Sequence, residues 1–121
     1  MCFIVKGKRA KVATKNIVCY KVSCHPKRSK VEKYFRPYFQ TSFRYFLNKK
    51  TSNCSLEVIG DVDDDYINEG YHSYQDLKGN WLMWKRAEFK LGKFIIPKGT
   101  KYYENKTEYV SETLIFKGYI K

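Results

Sequence analysis

The sequence predicts a single α+β domain, mainly antiparallel β-sheet with one or two helices. The chain has 121 residues, enough to bury one ordinary core without disulfides or metals. Hydrophobic residues make up 43% and aromatic residues 17% of the chain, which excludes a disordered class despite the high charge. Runs of β-branched and aromatic residues bounded by turn residues predict the sheet, and helical apolar spacing at residues 29–50 predicts the main helix.

The first elements are expected to be a loop or hairpin and then a strand. Residues 6–15 are basic and weakly apolar, which favours a loop or a hairpin. Residues 16–24 predict a strand because most of their side chains are β-branched, aromatic or cysteine. The dipeptide His25-Pro26 is expected to end this strand, since proline lacks an N–H group and restricts the residue before it.

Residues 29–50 fit two patterns. Ser29 and Glu32 form a capping box, and the apolar residues that follow have the spacing of a helix face. Those residues are Val31, Tyr34, Phe35, Tyr38, Phe39, Phe43, Phe46 and Leu47. Pro37 would kink or restart such a helix, and the alternating aromatic residues from Phe35 to Tyr45 leave a strand as the alternative. The helix is the favoured interpretation.

The rest of the chain is expected to be largely β. The predicted elements are a short strand at 55–59, an acidic turn at 61–65, an extended segment at 66–74 and a short helix at 76–86. A strand at 89–96 is closed by Pro97-Lys98-Gly99, a turn signature. Further strands at 101–103 and 109–120 are joined by a polar turn at 104–107.

Charge is sorted along the chain into three blocks. Residues 1–53 hold fourteen Lys/Arg and one acid, residues 54–76 hold seven acids and no Lys/Arg, and residues 77–121 hold ten Lys/Arg and four acids. The net charge of the chain is +12. Such segregation predicts a basic face that attracts phosphates or other polyanions, without saying which of them.

The basic block places cations next to aromatic rings. Arg36 follows Phe35, and Arg44 lies between Phe43 and Tyr45. Bases stack on aromatic rings and on guanidinium planes while Lys and Arg neutralise phosphate, so this pattern predicts contacts with nucleotides. The alternative is a core element whose cations form its solvent-exposed side. The predicted ligand-binding residues are Lys27, Arg28, Arg36 and Arg44 in this block, and Tyr20, Tyr71, His72 and Tyr74 elsewhere.

A second candidate is the sequence EGYHSY at residues 69–74. His72 lies among hydroxyl-bearing side chains and could polarise a ligand or shuttle a proton. Gly70 would allow a ligand to approach the backbone closely. The alternative is a partly buried histidine with a purely structural role.

No metal site is expected. Asp61, Asp63 and Asp65 resemble the start of a calcium loop, but Tyr66 and His72 stand where such a loop needs its Gly and its bidentate Glu. A solvated acidic turn is the simpler interpretation. The four Cys show no C-x-x-C spacing, so zinc is not predicted either.

The chain is expected to be cytosolic. The apolar run at residues 2–5 is too short for a signal-peptide core, and the run at 94–96 is far too short for a membrane span. A cytosolic location implies that the four Cys are reduced. Loss of Met1 would expose Cys2 as an N-terminal nucleophile, but Phe3 follows where such enzymes carry small residues, so a plain edge strand is favoured.

Three stretches resemble a group of small proteins from gut bacteria and their phages. They are IVCYKV at 17–22, NEGYHSY at 68–74 and IIPKGTKYYENKTEYVSETLIF at 95–116. The group shares a tyrosine-rich strand, a G-[FY]-H-S-[YF] element and an IPKG-x-x-YY…EYVS tail. It has no assigned activity that the resemblance could imply for this chain.

The order of these elements also resembles, more distantly, the ADP-ribosyltransferase layout. The resemblance implies that His72, Ser73 and Tyr74 form the middle element that grips the nicotinamide-ribose of NAD. It also implies that Glu108 or Glu112 is the late catalytic glutamate, and it makes His72 and Glu112 the candidate catalytic residues.

Two departures from that layout limit what the resemblance implies. The early strand offers Tyr20 and Lys21 where the family has Arg or His. The spacing from Glu108 to Glu112 differs from the usual Glu-x-Glu. The resemblance therefore implies a nucleotide-sized cleft that lacks transfer activity.

Three functions follow from these patterns. The favoured one is a small basic binding protein for a nucleotide signal or a nucleic acid, such as a phage or mobile-element accessory with an anti-defence role. The first alternative is an inhibitor or adaptor that docks its basic face on an acidic protein partner. The second alternative is an ADP-ribosyltransferase-like enzyme that uses NAD; no other cofactor and no membrane partner is expected.

Overall fold

The computed structural model of this chain describes residues 3–4, 9–30, 33–38, 43–52, 56, 58–60, 65–67, 70–77 and 88–120. The strands are β1 (Phe3–Ile4), β2 (Lys11–Val12), β3 (Ile17–Pro26), β4 (Tyr34–Phe35), β5 (Tyr45–Phe46), β6 (Lys50–Thr51), β7 (Val58–Gly60), β8 (Asp65–Ile67), β9 (Tyr71–Tyr74), β10 (Phe89–Ile96), β11 (Lys101–Glu104), β12 (Glu108–Ser111) and β13 (Leu114–Ile120). These residues contain no helix. The described part is therefore all-β, and the prediction of an α+β fold with one or two helices is wrong.

Eight of these strands form one antiparallel sheet in the order β2-β11-β12-β9-β3-β10-β13-β6. Three more form a small sheet in the order β1-β8-β7, and β4 pairs with β5. The central pairings are the longest: β10 lies between β3 and β13, with Phe94 opposite Cys19 on one side and Phe116 on the other.

Side chains alternate between the two faces of the large sheet. Cys19, Phe94 and Phe116 share one face, and all three are almost completely buried in the main core. Val22 and Leu91, which are also register partners, point to the opposite face and belong to a separate apolar cluster. The period of two along these strands thus buries both faces at the centre of the sheet.

The β4–β5 hairpin covers the main core. Phe35 and Tyr45 are register partners, are fully buried, and point toward the large sheet. The Phe35 ring centroid lies 4.9 Å from that of Phe94. Gly92 makes this approach possible, because a Cβ atom at that position would lie 2.5 Å from Cε2 of Phe35.

The helix predicted for residues 29–50 is therefore wrong where the chain is described. Residues 33–38 and 43–52 contain β4, β5 and β6 instead. The alternation of aromatic residues, which was the weaker of the two patterns, describes this segment correctly: Phe35 and Tyr45 face the core while Tyr34 and Phe46 face outward. Pro37, which a helix would accommodate poorly, forms an isolated bridge to Ser23.

The strand predicted at 16–24 is observed as β3, which runs on through His25 to Pro26. The strand predicted at 89–96 is confirmed with the same bounds as β10. The turn after it is also observed: Gly99 has φ of 89°, and the N–H of Thr100 donates to the carbonyl oxygen of Pro97 at 3.1 Å.

Two long predicted segments are divided in the structure. The segment at 66–74 contains β8 and β9, and between them Gly70 has φ of 145°. The segment at 109–120 contains β12 and β13. The strand predicted at 55–59 is observed as β7, which is displaced toward Gly60. Most of the helix predicted at 76–86 and of the acidic turn at 61–65 lies outside the described residues.

Candidate functional site

The outward side of the β4–β5 hairpin carries a group of cations and aromatic rings. We call Tyr34, Arg44, Phe46 and Lys49 the basic-aromatic surface. The Arg44 guanidinium carbon lies 4.8 Å from the centroid of the Tyr34 ring, and Lys49 Nζ lies 5.8 Å from that of Phe46. Both distances are within the range of cation–π attraction. Arg44 therefore stacks on the ring across the hairpin rather than on its sequence neighbours Phe43 and Tyr45.

The rings of this surface are accessible. Phe46 is 50% exposed and the adjacent Leu47 is 47% exposed. The centroids of the Tyr34 and Phe46 rings are 6.4 Å apart, with their planes tilted by 59°. An exposed ring, Phe46, thus lies beside the partly buried ring of Tyr34, with a cation against each.

The surroundings of this surface are positively charged. Residues 33–56 contain five Lys/Arg and no Asp or Glu. Asn48 has φ of 59°, a left-handed conformation that turns the chain after β5, and its Oδ1 accepts a hydrogen bond of 2.8 Å from Lys117 Nζ. The turn therefore brings a further lysine, from β13, beside the hairpin.

The other predicted residues of the basic block lie elsewhere. Lys27 and Arg28 are exposed in the turn that follows β3. Lys90 fixes this turn, because its Nζ donates to the carbonyl oxygens of Pro26 at 3.3 Å and of Lys27 at 2.9 Å. Arg36 follows β4 and is only partly exposed, and its carbonyl oxygen accepts a hydrogen bond from the N–H of Cys24.

The predicted residues Tyr20, Tyr71, His72 and Tyr74 are divided between the two faces of the large sheet. Tyr20 and Tyr74 are register partners where β3 meets β9, so the structure brings these two together. His72 shares their face by alternation along β9. Tyr71 points the other way and is buried in the main core, where its ring lies 5.9 Å from that of Tyr45.

Burial shifts the pKa values of His72 and Tyr74 on the sheet face that they share with Tyr20. It lowers the pKa of His72 to about 4, and the nearby positive charge of Lys21 acts in the same direction. Burial also raises the pKa of Tyr74 to about 12, with help from the carboxylate of Glu108, its register partner on β12. At neutral pH His72 is therefore an uncharged imidazole, able to accept or donate a hydrogen bond but not to provide a positive charge.

The two candidate catalytic residues occupy different elements. His72 lies within β9, opposite Val110 of β12. Glu112 lies in the bend after β12, where its N–H donates to the carbonyl oxygen of Lys101 at 3.2 Å. The role of this pair in an NAD reaction stays a prediction.

The residue that the sequence interpretation passed over is Lys21. Its side chain points toward the main core, where the ammonium donates a hydrogen bond to the carbonyl oxygen of His72 and lies 5.6 Å from the centroid of the Tyr45 ring. Burial lowers the pKa of Lys21 to about 8, although its acidic neighbours Cys19 and Glu108 oppose this change. The available signal was the period of two along β3, which puts Lys21 on the same side as Cys19.

Two more polar groups lie beside Lys21. Burial raises the pKa of Cys19 to about 11, and the hydroxyl of Ser73 opposes this change. Cys19 is therefore a neutral thiol at physiological pH rather than a nucleophile. Ser73 is 2% exposed, and its Oγ has no hydrogen-bond partner of ordinary geometry. Neither cysteine of β3, Cys19 or Cys24, is in a disulfide.

Within the described ranges, no group of three or more His, Cys, Asp and Glu side chains is placed to hold a metal ion. The same part of the chain has no helix long and apolar enough to cross a membrane. No protein-family model, no curated protein and no solved structure matches this chain.

Proposed function

We propose that this chain is a cytosolic binding protein for nucleotide-containing ligands, and that single-stranded nucleic acid is the ligand class. The observation that carries the proposal is the half-exposed ring of Phe46, which lies beside Tyr34 and the Lys49 ammonium in a segment, residues 33–56, whose sequence has no Asp or Glu. Solvent-exposed rings with adjacent cations are the arrangement by which proteins stack bases and neutralise the phosphates between them.

The basic-aromatic surface supports more than one contact. Phe46 offers a ring face to one base, and the Arg44 guanidinium, which is stacked on Tyr34, offers a second flat surface. Lys49 and Lys50 are exposed along the chain that follows. Two stacking positions followed by cations suit a short run of nucleotides better than a single one.

The same features favour a single strand over a duplex or an acidic protein. Bases in a duplex are stacked on each other and do not present their faces to a protein ring. An acidic protein surface would need the cations but would gain little from the exposed ring of Phe46. The alternative of docking on an acidic partner is therefore weaker, and it can be separated by experiment.

The test is the affinity of a fluorescent dT10 oligonucleotide for Phe46→Ala, Lys49→Ala and wild type, measured by anisotropy at several salt concentrations. Loss of one stacked base is expected to weaken binding roughly 5- to 150-fold for Phe46→Ala, since stacking contributes about 1–3 kcal/mol. Lys49→Ala is expected to weaken binding and to reduce the salt slope by about 1. Val12→Ala and Lys98→Ala, which alter an exposed valine and an exposed lysine elsewhere, serve as matched controls.

Equal affinities for wild type and Phe46→Ala would contradict the proposal. So would binding of polyglutamate that is as tight as binding of dT10, because an acidic partner lacks bases. Competition by AMP at a concentration similar to that of the oligonucleotide would place the ligand among free nucleotides.

A further inference from the structure

The inner side of the β4–β5 hairpin covers a place where β3 changes its neighbour. At Tyr20, β3 pairs with β9 through Tyr74. Two residues further along β3, the carbonyl oxygen of Val22 accepts a hydrogen bond of 3.0 Å from the N–H of Tyr38. The segment after β4 is therefore the neighbour of β3 at this point, in place of β9. Lys21 lies between these two pairings, where the large sheet and its neighbouring segment separate.

The side chains of Lys21, Ser73 and Cys19 at this junction can all donate hydrogen bonds. The ammonium of Lys21 uses one of its three protons on the carbonyl oxygen of His72. If the antiparallel register of Tyr20 with Tyr74 is continued by one residue, Ser73 lies opposite Lys21. The Ser73 hydroxyl is buried, and no hydrogen-bond partner lies within ordinary distance and angle of it. Cys19, two residues before Lys21 on the same side of β3, adds a neutral thiol.

Among the described residues, no carboxylate forms an ion pair with Lys21. The ion pair formed within the described ranges is that of Lys11 with Glu104, which does not involve Lys21. Glu108 acts on Lys21 only as a more distant charge. A largely buried ammonium without a carboxylate is unfavourable, and so is a buried hydroxyl without an acceptor.

We propose that Lys21 and Ser73 form a binding site for one small oxyanion group, a carboxylate or a phosphate, at the junction of β3 and β9. A single oxyanion accepts hydrogen bonds on several oxygens and carries the charge that Lys21 lacks. In the purely structural alternative, Lys21 only satisfies the carbonyl oxygen of His72 and Ser73 only approaches the Cys19 thiol, a weak hydrogen-bond acceptor that does not carry the charge Lys21 needs. This site lies on the inner side of the hairpin and is independent of the basic-aromatic surface.

The test uses isotope-labelled full-length chain and two probes, potassium acetate and potassium phosphate, with potassium chloride keeping the ionic strength constant at pH 6.8. The amide signals of Lys21 and Ser73 and the side-chain signals of Lys21 are followed by NMR. We expect saturable shifts at these residues with at least one probe, and a rise of the Lys21 pKa above about 8 when the site is filled. The two probes distinguish a carboxylate ligand from a phosphate ligand.

Three variants complete the experiment. Lys21→Met is expected to abolish saturable binding, and Ser73→Ala to weaken it about 10-fold. Lys93→Met, which removes an exposed lysine of β10, is expected to bind the probe like wild type. Because Ser73→Ala removes a single buried oxygen, it keeps the proposal testable if Lys21→Met folds poorly.

Shifts that rise linearly and equally with acetate, phosphate and chloride would overturn the proposal. So would saturable binding that persists in Lys21→Met. The dT10 affinity of Ser73→Ala is expected to equal that of wild type, so failure of this proposal and failure of the nucleic-acid proposal give different results.

Discussion

Burial, rather than sequence position, sets the charge of two residues on β3 and β9. Burial lowers the pKa of His72 to about 4 and that of Lys21 to about 8. The His72 imidazole is therefore neutral at pH 7, whereas Lys21 keeps most of its positive charge. Of the two, Lys21 is the one that can attract an anion, which is why the oxyanion site is assigned to it and not to His72.

The lowered pKa of His72 predicts acid sensitivity. The unfolded chain binds a proton at His72 near pH 6.5 and the folded chain only near pH 4, so the folded state loses stability as the pH falls between these values. At pH 4.5 this loss is on the order of 2 kcal/mol. Replacement of His72 by Gln removes this titration, so urea unfolding at pH 7 and at pH 4.5 should differ less for His72→Gln than for wild type.

The carboxylates titrate over the same range in both proteins, so the difference between the two pH dependences isolates His72. An equal loss of stability in wild type and His72→Gln would contradict the lowered pKa. Above about pH 8, His72 is neutral in both states, and its contribution to the free energy of unfolding is expected to be constant.

Elements with strong local signals were predictable from the sequence. The bounds of β10 and the turn at Pro97-Lys98-Gly99 follow from β-forming side chains and from turn residues that act over a few positions. The division of residues 66–74 and 109–120 into four strands was not predictable in the same way. It depends on which strands of the sheet each half pairs with, as in the pairing of β12 with both β9 and β11.

The β4–β5 hairpin shows why the candidate site was only partly predictable. The sequence marked Arg44 and its neighbouring rings as a candidate ligand-binding group, which stays a prediction. It could not give the partner of Arg44, because Tyr34 reaches it across the hairpin and not along a helix. Helical spacing of aromatic residues was misleading here. The ring centroid of Phe35 lies 4.9 Å from that of Phe94 and 5.3 Å from that of Phe116, and this packing on the large sheet favours a strand over a helix.

The packing of the hairpin on β10 predicts a large effect of Gly92→Ala. The added Cβ would lie 2.5 Å from Cε2 and 2.7 Å from Cδ2 of the Phe35 ring, which is closed in by other aromatic rings. Because the ring has little room to move, the hairpin must shift, and we expect a loss of about 1–3 kcal/mol in the free energy of unfolding. Urea unfolding measures this loss, and near-UV circular dichroism reports the disturbed aromatic packing.

Lys93→Ala is the matched control for this prediction. Lys93 is the next residue of β10 and is exposed, so the same strand is altered without contact to the hairpin. We expect its free energy of unfolding to change by less than about 0.5 kcal/mol. Equal stability of Gly92→Ala and Lys93→Ala would mean that the hairpin does not pack on Gly92 as described.

Across the whole molecule, positive charge is in excess. The chain has 24 Lys/Arg and 12 Asp/Glu, a net charge of +12. In the part of the chain that the structure describes, one ion pair is formed, between Lys11 and Glu104. With this excess of positive charge, we expect repulsion among like charges to outweigh attraction in the folded state, and the same excess would attract the proposed polyanion.

This balance predicts that added salt stabilises the protein. Raising NaCl from about 20 to 200 mM shortens the screening length from roughly 20 to 7 Å, which weakens repulsion between separated lysines. We expect a gain of roughly 1 kcal/mol, or about 4 °C in Tm, by differential scanning calorimetry. Lys98→Glu, in an exposed turn, lowers the net charge and should reduce the salt effect, whereas a Tm that falls with NaCl would mean that ion pairs dominate.

Sodium phosphate at the same ionic strength separates screening from binding. If Tm rises more in phosphate than in NaCl, and Ser73→Ala reduces this extra rise, the extra rise comes from the oxyanion site, because screening does not depend on Ser73.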